Sequence, residues 1–251
     1  MRGELNAQYN VADPDSLAVR VATRVRARIF SMFMGEFSPT EADEVLDLGV
    51  TSDQSYKSSN YFEALYPYKN RITAAGIDDA SFLENIYSGL RFQFADALNL
   101  PFSDNEFDYV HSSAVIEHVG SYANQQRMVT ECLRVARKGV CLTTPNRWFP
   151  IELHTQLPLI HWLPKSWFRT ILKGIGHHEL AMESNLNLVT EGELRKIAAL
   201  HLDWAFHFGS ARLLGLKTNI VIFATKNPDV HTQHQSSVEG YDLAAGEADN
   251  R

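Results

Sequence analysis

Short apolar runs that end in small or acidic residues alternate along this chain with segments of helical periodicity, and that rhythm predicts a layered α/β sheet. Ser16 to Gly35 reads as a helix, started near Asp13, Asp15 or Ser16, with Arg20, Arg24, Arg26 and Arg28 set among apolar positions. Glu44 to Gly49, Ile72 to Ile77, Leu90 to Ala95, Phe107 to Ser112 and Gly139 to Thr143 read as strands, the third and fourth of them buried and parallel. Helices are expected from Ser58 to Leu65, where Pro67 stops the run, from Ala80 to Ile86, and from Asn124 to Arg137. Thr190 to Leu200 is amphipathic, with Thr190 as N-cap and Glu193 completing a capping box. Leu202 to Phe208 and Asn219 to Thr225 are the last expected strands.

The strand ends carry the candidate chemistry. In a doubly wound sheet a ligand lies just beyond the carboxyl ends of the strands, which places Asp96 and the group Ser112, Ser113 and Ala114 where a cofactor belongs. Asp96 alone is equally well explained as a cap on the following turn, because Leu100-Pro101-Phe102-Ser103-Asp104-Asn105 has turn chemistry.

Composition narrows the classes. At 251 residues and 45% hydrophobic the chain can bury one sizeable core with an insertion. A net charge of -7 argues against a general nucleic-acid binder. Cys132 and Cys141 fall in a helix and a strand and suit a reduced compartment better than a disulfide framework. No apolar run approaches the roughly 18 to 20 residues that span a bilayer, and the first ten residues lack a signal-peptide core, so a cytoplasmic protein is expected. From about Asn227 the chain turns polar and is expected to be a disordered tail, residues 227–251.

Taken in order, these motifs resemble the class I S-adenosylmethionine-dependent methyltransferases, specifically the bacterial small-molecule group that includes quinone and lipid methyltransferases. The resemblance covers Glu44 to Lys226: Val45-Leu46-Asp47-Leu48-Gly49, Gly76-Ile77-Asp78, Asp96 with Ala97 and Leu98, FDYVHSSAVIEHV, and Thr143-Thr144-Pro145-Asn146. It implies a Rossmann-like, doubly wound, seven-stranded sheet with its last strand antiparallel. The domains expected are an N-terminal helical segment (1–43) and a methyltransferase domain (44–226) interrupted by a helical, aromatic-rich cap at about 147–188. The implied cofactor is S-adenosyl-L-methionine, with S-adenosyl-L-homocysteine as product. Asp47 and Gly49 would open its loop, Asp78 would take the ribose hydroxyls with Asp79 as competitor, and Asp96 and Ala97 would meet the adenine, with Ser113 on the adjoining strand exit. Strand-tip carboxylates suit a diol because one ionised group accepts both hydroxyls.

The chain departs from the family where a Gly-x-Gly-x-Gly loop is usual. Here it reads Gly49-Val50-Thr51-Ser52-Asp53, so bulk replaces two glycines beside the methionine end of the cofactor. Thr51, Ser52 and Asp53 could supply contacts of their own. The spacing from Asp47 to Asp78 also exceeds the roughly 20 residues of a simple mononucleotide unit.

Methyl transfer requires positioning and, for a protonated acceptor, proton removal. His118 lies just past the fourth strand and is the candidate base, with Glu117 in support, although packing beside the cofactor explains it equally; His111 reads as a core residue. Arg147 to Gly176 carries Trp148, Phe149, Trp162, Trp167 and Phe168 among basic residues, which suits an amphipathic or anionic substrate, such as a small-molecule or lipid-linked acceptor, or transient contact with a membrane surface. Ordinary packing of the cap is the alternative. Arg147, Trp148 and His154 are the expected acceptor contacts. No metal site is expected, because His154 and His161 flank Pro158 and no Cys cluster or His-Glu-x-x-His spacing occurs. Oxygen is the favoured acceptor atom, then nitrogen, then carbon. A decayed, binding-only relative and a NAD-dependent dehydrogenase stay as alternatives, the latter lacking its glycine pattern and hydride-site signature.

Overall fold

Residue alternation along each strand builds two cores, one on either face of a single sheet. In the computed structural model, which describes residues 17–54 and 59–227, Val45, Tyr109, Cys141, Val221 and Phe223 face one side. Leu46, Leu48, Val110, Val140, Leu142, Ile220 and Ile222 face the other. The first face is covered by α1 (Leu17–Phe37), α2 (Tyr61–Leu65) and α3 (Phe82–Ile86), and the second by α4 (Tyr122–Val135) and α6 (Glu191–Ala198).

Seven strands form the sheet: β1 (Val45–Leu48), β2 (Ile72–Gly76), β3 (Arg91–Phe94), β4 (Phe107–Ser113), β5 (Ala136–Pro145), β6 (Trp204–Leu213) and β7 (Leu216–Lys226). Their order is β3-β2-β1-β4-β5-β7-β6, with β7 antiparallel to both β5 and β6. The doubly wound sheet and its antiparallel last strand therefore match the sequence expectation. The order reverses between β1 and β4, so a crevice opens beyond Leu48, Gly76 and Ser113.

Several boundaries move for identifiable reasons. β3 is not the buried strand expected: Arg91, Gln93 and Phe94 are exposed because β2 is its one neighbour at the sheet edge. Ser121 caps α4 by accepting from the Asn124 amide, which starts that helix two residues early, and pairing of Ala136 with Phe107 begins β5 where helix was expected. The Thr190 and Glu193 capping box forms as read. Cys132 and Cys141 are buried and free.

Helix α1 packs across the first face. Phe33 is fully buried and meets Phe62 edge to face at 5.1 Å, and Gly139 is required beneath Phe37, whose ring would lie 2.5 Å from any added Cβ. Between β5 and α6, α5 (Lys165–Gly174) builds a satellite core from Phe168, Leu172, Leu180, Ala181, Leu186 and Leu188. Asn187 ties this segment to the sheet: its amide donates to Glu117 O at 2.7 Å, and its side chain to Gly120 O at 2.7 Å. The expected N-caps at Asp13, Asp15 or Ser16, the helix start at Ser58 and the tail after Asn227 lie outside the described residues.

Candidate functional site

The crevice beyond β1, β2 and β4 is assembled from strand tips. Gly49 leaves β1 at a φ of 104°, and a Cβ there would lie 2.1 Å from Val115 Cγ2, so only glycine fits the turn. Thr51 then replaces glycine flexibility with a clamp: its amide donates to Asn60 Oδ1 and its carbonyl accepts from Asn60 Nδ2, both at 3.0 Å. The Asp53 amide donates to Thr51 Oγ1 at 3.1 Å. The loop is thus ordered by side chains and a helix start.

Asp78 lies at the tip of β2, 7% exposed, and accepts a hydrogen bond from the Ser52 hydroxyl. Burial raises its pKa, partly offset by Ser52. Asp79 turns away: its carboxylate accepts from the Ser81 amide at 3.0 Å, and the Ser81 contacts lower its pKa. It starts α3 and does not face the crevice beside Asp78. Asp96 serves in a turn as well, accepting from Leu98 N through Oδ1 at 2.9 Å, which fixes the carboxylate and leaves Oδ2 for a second donor. Ala97 is buried beside it.

The methionine end of the crevice gathers buried ionisable groups. Asp47 accepts from Nδ1–H of His111, whose Nε2 in turn accepts from the Tyr61 hydroxyl at 3.0 Å. Burial pushes the His111 pKa down to about 3 and the Asp47 carboxyl up to about 7, so His111 is the neutral donor. Neighbouring Glu63 is fully buried beside Asp47. Burial first, then the Asp47 charge, hold it protonated. Ser113 Oγ pairs with Thr143 Oγ1 at 2.9 Å. Arg26 of α1, Gly49, Asn60, Tyr61, His111 and Ser113 share a cavity of about 30 Å³, room for a water or two.

These residues fit S-adenosylmethionine. Asp78 would serve as a diol acceptor and Asp96 as an amino-group acceptor, and Asp47, at the cavity wall, suits a ligand carrying cationic ammonium and sulfonium groups. Arg26 was not singled out as a site residue; its place among the apolar positions of α1 was the one available signal.

The other half of the site differs more from expectation. His118 Nδ1–H donates to Asn185 O at 2.6 Å, and burial, followed by the nearby His154 charge, pushes its pKa down to about 3, which makes it a poor base near neutral pH. Glu117 is fully buried; Oε2 accepts from Thr144 Oγ1 at 2.9 Å, and burial raises its pKa to about 7. His154 comes to the same place, its ring 4.9 Å from that of His118. Its Nδ1 pairs with Glu152 at 2.7 Å. Burial works against the Glu152 charge, but His154 and the Thr155 contacts overcome it and hold that carboxyl at about 2. Arg147 is committed elsewhere, donating to the carbonyls of His161 at 3.1 Å and Leu163 at 2.8 Å, so it braces the 147–188 segment. Trp148 is 54% exposed.

Residues 58–143 match the family model described as a methyltransferase domain. No curated protein matches the sequence. Among solved structures, magnesium protoporphyrin IX methyltransferase from Synechocystis PCC 6803, crystallised with S-adenosylhomocysteine, superposes with a TM-score of 0.53 at 14% identity over 89% of this chain and 93% of that one. A chain of the complex between the Haloferax volcanii Trm112 methyltransferase activator and a putative methyltransferase gives 0.57 at 14% identity over 90% and 99%. The CurJ carbon methyltransferase gives 0.54 at 12% identity, over 84% of this chain and 56% of that one. At such identities these likenesses establish the fold. Residues 58–143 thus carry a methyltransferase domain, set in a fold shared with S-adenosylmethionine-dependent methyltransferases.

Proposed function

We propose that the protein methylates a hydroxyl oxygen of a small, largely apolar acceptor, held between the exits of β4 and β5 and the 147–188 segment acting as a cap. The observation that carries this reading is the gathering of Glu117, His118, His154 and Glu152 at one point beside those exits. Such a cluster has a use when the acceptor must lose a proton, and less when the nucleophile is an electron-rich carbon. The names of the structural neighbours, a magnesium protoporphyrin and a carbon methyltransferase, do not choose between acceptors.

When bound, S-adenosylmethionine supplies an electrophilic methyl group on a sulfonium. The chain's own part is positional. Asp78 and Asp96 fix the nucleoside end, Asp47 favours its cationic end, and the Gly49 turn lets backbone approach it. Trp148, Trp162 and Trp167, each over 40% exposed, give the cap an apolar surface suited to a lipid-like acceptor and to contact with a membrane surface. No helix among the described residues is long and apolar enough to cross a membrane.

A second reading, a protein that binds without turnover, draws on the narrowness of the methionine end, where the cavity is about 30 Å³. Transfer of labelled methyl from S-adenosylmethionine separates the two. Long-chain phenols and hydroquinones are offered in neutral micelles and in anionic vesicles, beside analogues whose hydroxyl is replaced by hydrogen. Label on the hydroxyl compounds alone is the expected result, greater in anionic vesicles if the cap meets membranes. Bound cofactor with no label on any of them supports the binding-only reading.

A further inference from the structure

The cluster beside the β4 exit has a composition and an arrangement that proton transfer does not require. One carboxylate oxygen of Glu117 and one ring nitrogen from each of His118 and His154 lie within 4.8 Å of one another. Glu117 and His118 leave β4 in a single helical turn, whereas His154 arrives from the cap, so sequence spacing hides the grouping.

The outer partners orient all three. His118 Nδ1 meets a backbone carbonyl, Asn185 O, which can only accept, so Nδ1 carries the proton and Nε2 the lone pair. His154 Nδ1 faces Glu152, and Glu152 is itself fixed by the backbone amides of His154 at 3.0 Å and Thr155 at 2.6 Å. A carboxylate or carbonyl on one ring nitrogen, leaving the other for a shared centre, is the usual outer arrangement of metal-bound histidine. Glu117 supplies the independent observation. Its Oε2 has Thr144, but Oε1 has no hydrogen-bond partner among the described residues although the residue is fully buried. An unpaired buried carboxylate oxygen is costly, and a nearby cation removes the cost.

We propose that Glu117, His118 and His154 hold one divalent transition-metal ion, of the zinc or iron(II) type, with a coordination position open for the acceptor oxygen. Two imidazoles and one carboxylate favour such ions over magnesium or calcium, which take oxygen ligands. Ligand atoms at about 2 Å from an ion stand roughly 3 to 4 Å from one another, so the present spacing closes with small side-chain shifts. Three protein ligands and an open position describe a catalytic rather than a structural site. The role of the open position rests on the hydroxyl-methylating reading above. There the ion would withdraw charge from the acceptor oxygen and ease loss of its proton to solvent; the oxygen's electron pair then forms the new carbon–oxygen bond as the carbon–sulfur bond breaks. His118 does not have to act as a base.

The test uses the full-length protein, stripped with chelator and titrated with cobalt(II). Expected are saturation at one equivalent, visible absorption of the strength given by a four- or five-coordinate nitrogen and oxygen site, and displacement by one equivalent of zinc. Glu117→Gln and His154→Gln should each weaken cobalt binding at least tenfold, and Glu152→Ala, which removes an outer partner, by about 10- to 100-fold. S-adenosylhomocysteine binding, followed in parallel, reports whether each variant is folded. The absence of saturable one-to-one binding by the wild type overturns the inference, as does binding unchanged in both ligand variants or the weak spectrum of a six-coordinate surface site. If the variants lose their fold, the wild-type stoichiometry and spectrum decide alone. A protein that binds S-adenosylhomocysteine but no metal leaves the methyltransferase reading standing without this site; one that binds metal but not S-adenosylhomocysteine does the reverse.

Discussion

Asp78→Ala is expected to lower affinity for S-adenosylhomocysteine by roughly 100-fold or more. A carboxylate on a ribose diol accepts two charge-assisted hydrogen bonds, each worth about 1.5 to 3 kcal/mol, and every 1.4 kcal/mol is tenfold in affinity. Asp78 has the position for this, just past the tip of β2 and beside β1, where the crevice opens, and the Ser52 hydroxyl holds it in place. Asp79→Ala is the matched control and should change affinity by less than about threefold, because its carboxylate caps Ser81. The pH dependence has a definite sign. Burial raises the Asp78 pKa, so the ionised form that accepts from the diol is lost on acidification at a higher pH than for an exposed aspartate, and affinity falls as pH falls. Calorimetry on the three proteins across the acidic range checks both statements. Equal losses in the two variants would contradict the assignment.

Phe33→Ala is expected to destabilise the fold by about 3 to 5 kcal/mol, the range for truncating a buried aromatic ring. The ring is fully buried and meets Phe37 at 5.3 Å, Phe62 at 5.1 Å, His111 at 5.8 Å and Tyr109 at 6.3 Å, all edge to face. It joins α1 to the buried acid and histidine pair at the end of β1. Urea unfolding followed by circular dichroism gives the stability change. The same variant should bind S-adenosylhomocysteine more weakly, since His111 orients Asp47. A loss under about 1 kcal/mol would mean that α1 is a dispensable appendage rather than part of the core.

The sheet was readable wherever one strand's own residues settle the matter. The apolar run of β1 followed by Gly49, the Phe-Asp-Tyr-Val run of β4 and the Thr190 capping box carry their structure locally. The exposure of β3 was not readable, because a strand's place at the edge depends on how many neighbours it has. The same division runs through the site. Asp78 and Asp96 were read from strand tip and turn, and they stand there, Asp78 held by Ser52 and Asp96 by the Leu98 amide. Arg147 was assigned by charge in an aromatic segment, but charge says nothing of which carbonyls the guanidinium meets, and it braces the 147–188 segment. His118 suited a base by position alone; burial removes that basicity. His154, reached from a distant segment, gives the neighbourhood its actual chemistry, and contacts of that kind leave no spacing in the sequence.

These strand tips are expected to hold an adenosyl cofactor despite the two missing loop glycines. Calorimetric titration of the full-length wild-type protein with S-adenosylhomocysteine tests it most directly. One-to-one binding in the micromolar range or tighter, lost in Asp78→Ala, is the expected result; a wild-type protein that releases no heat and retains no ligand on equilibrium dialysis would contradict it.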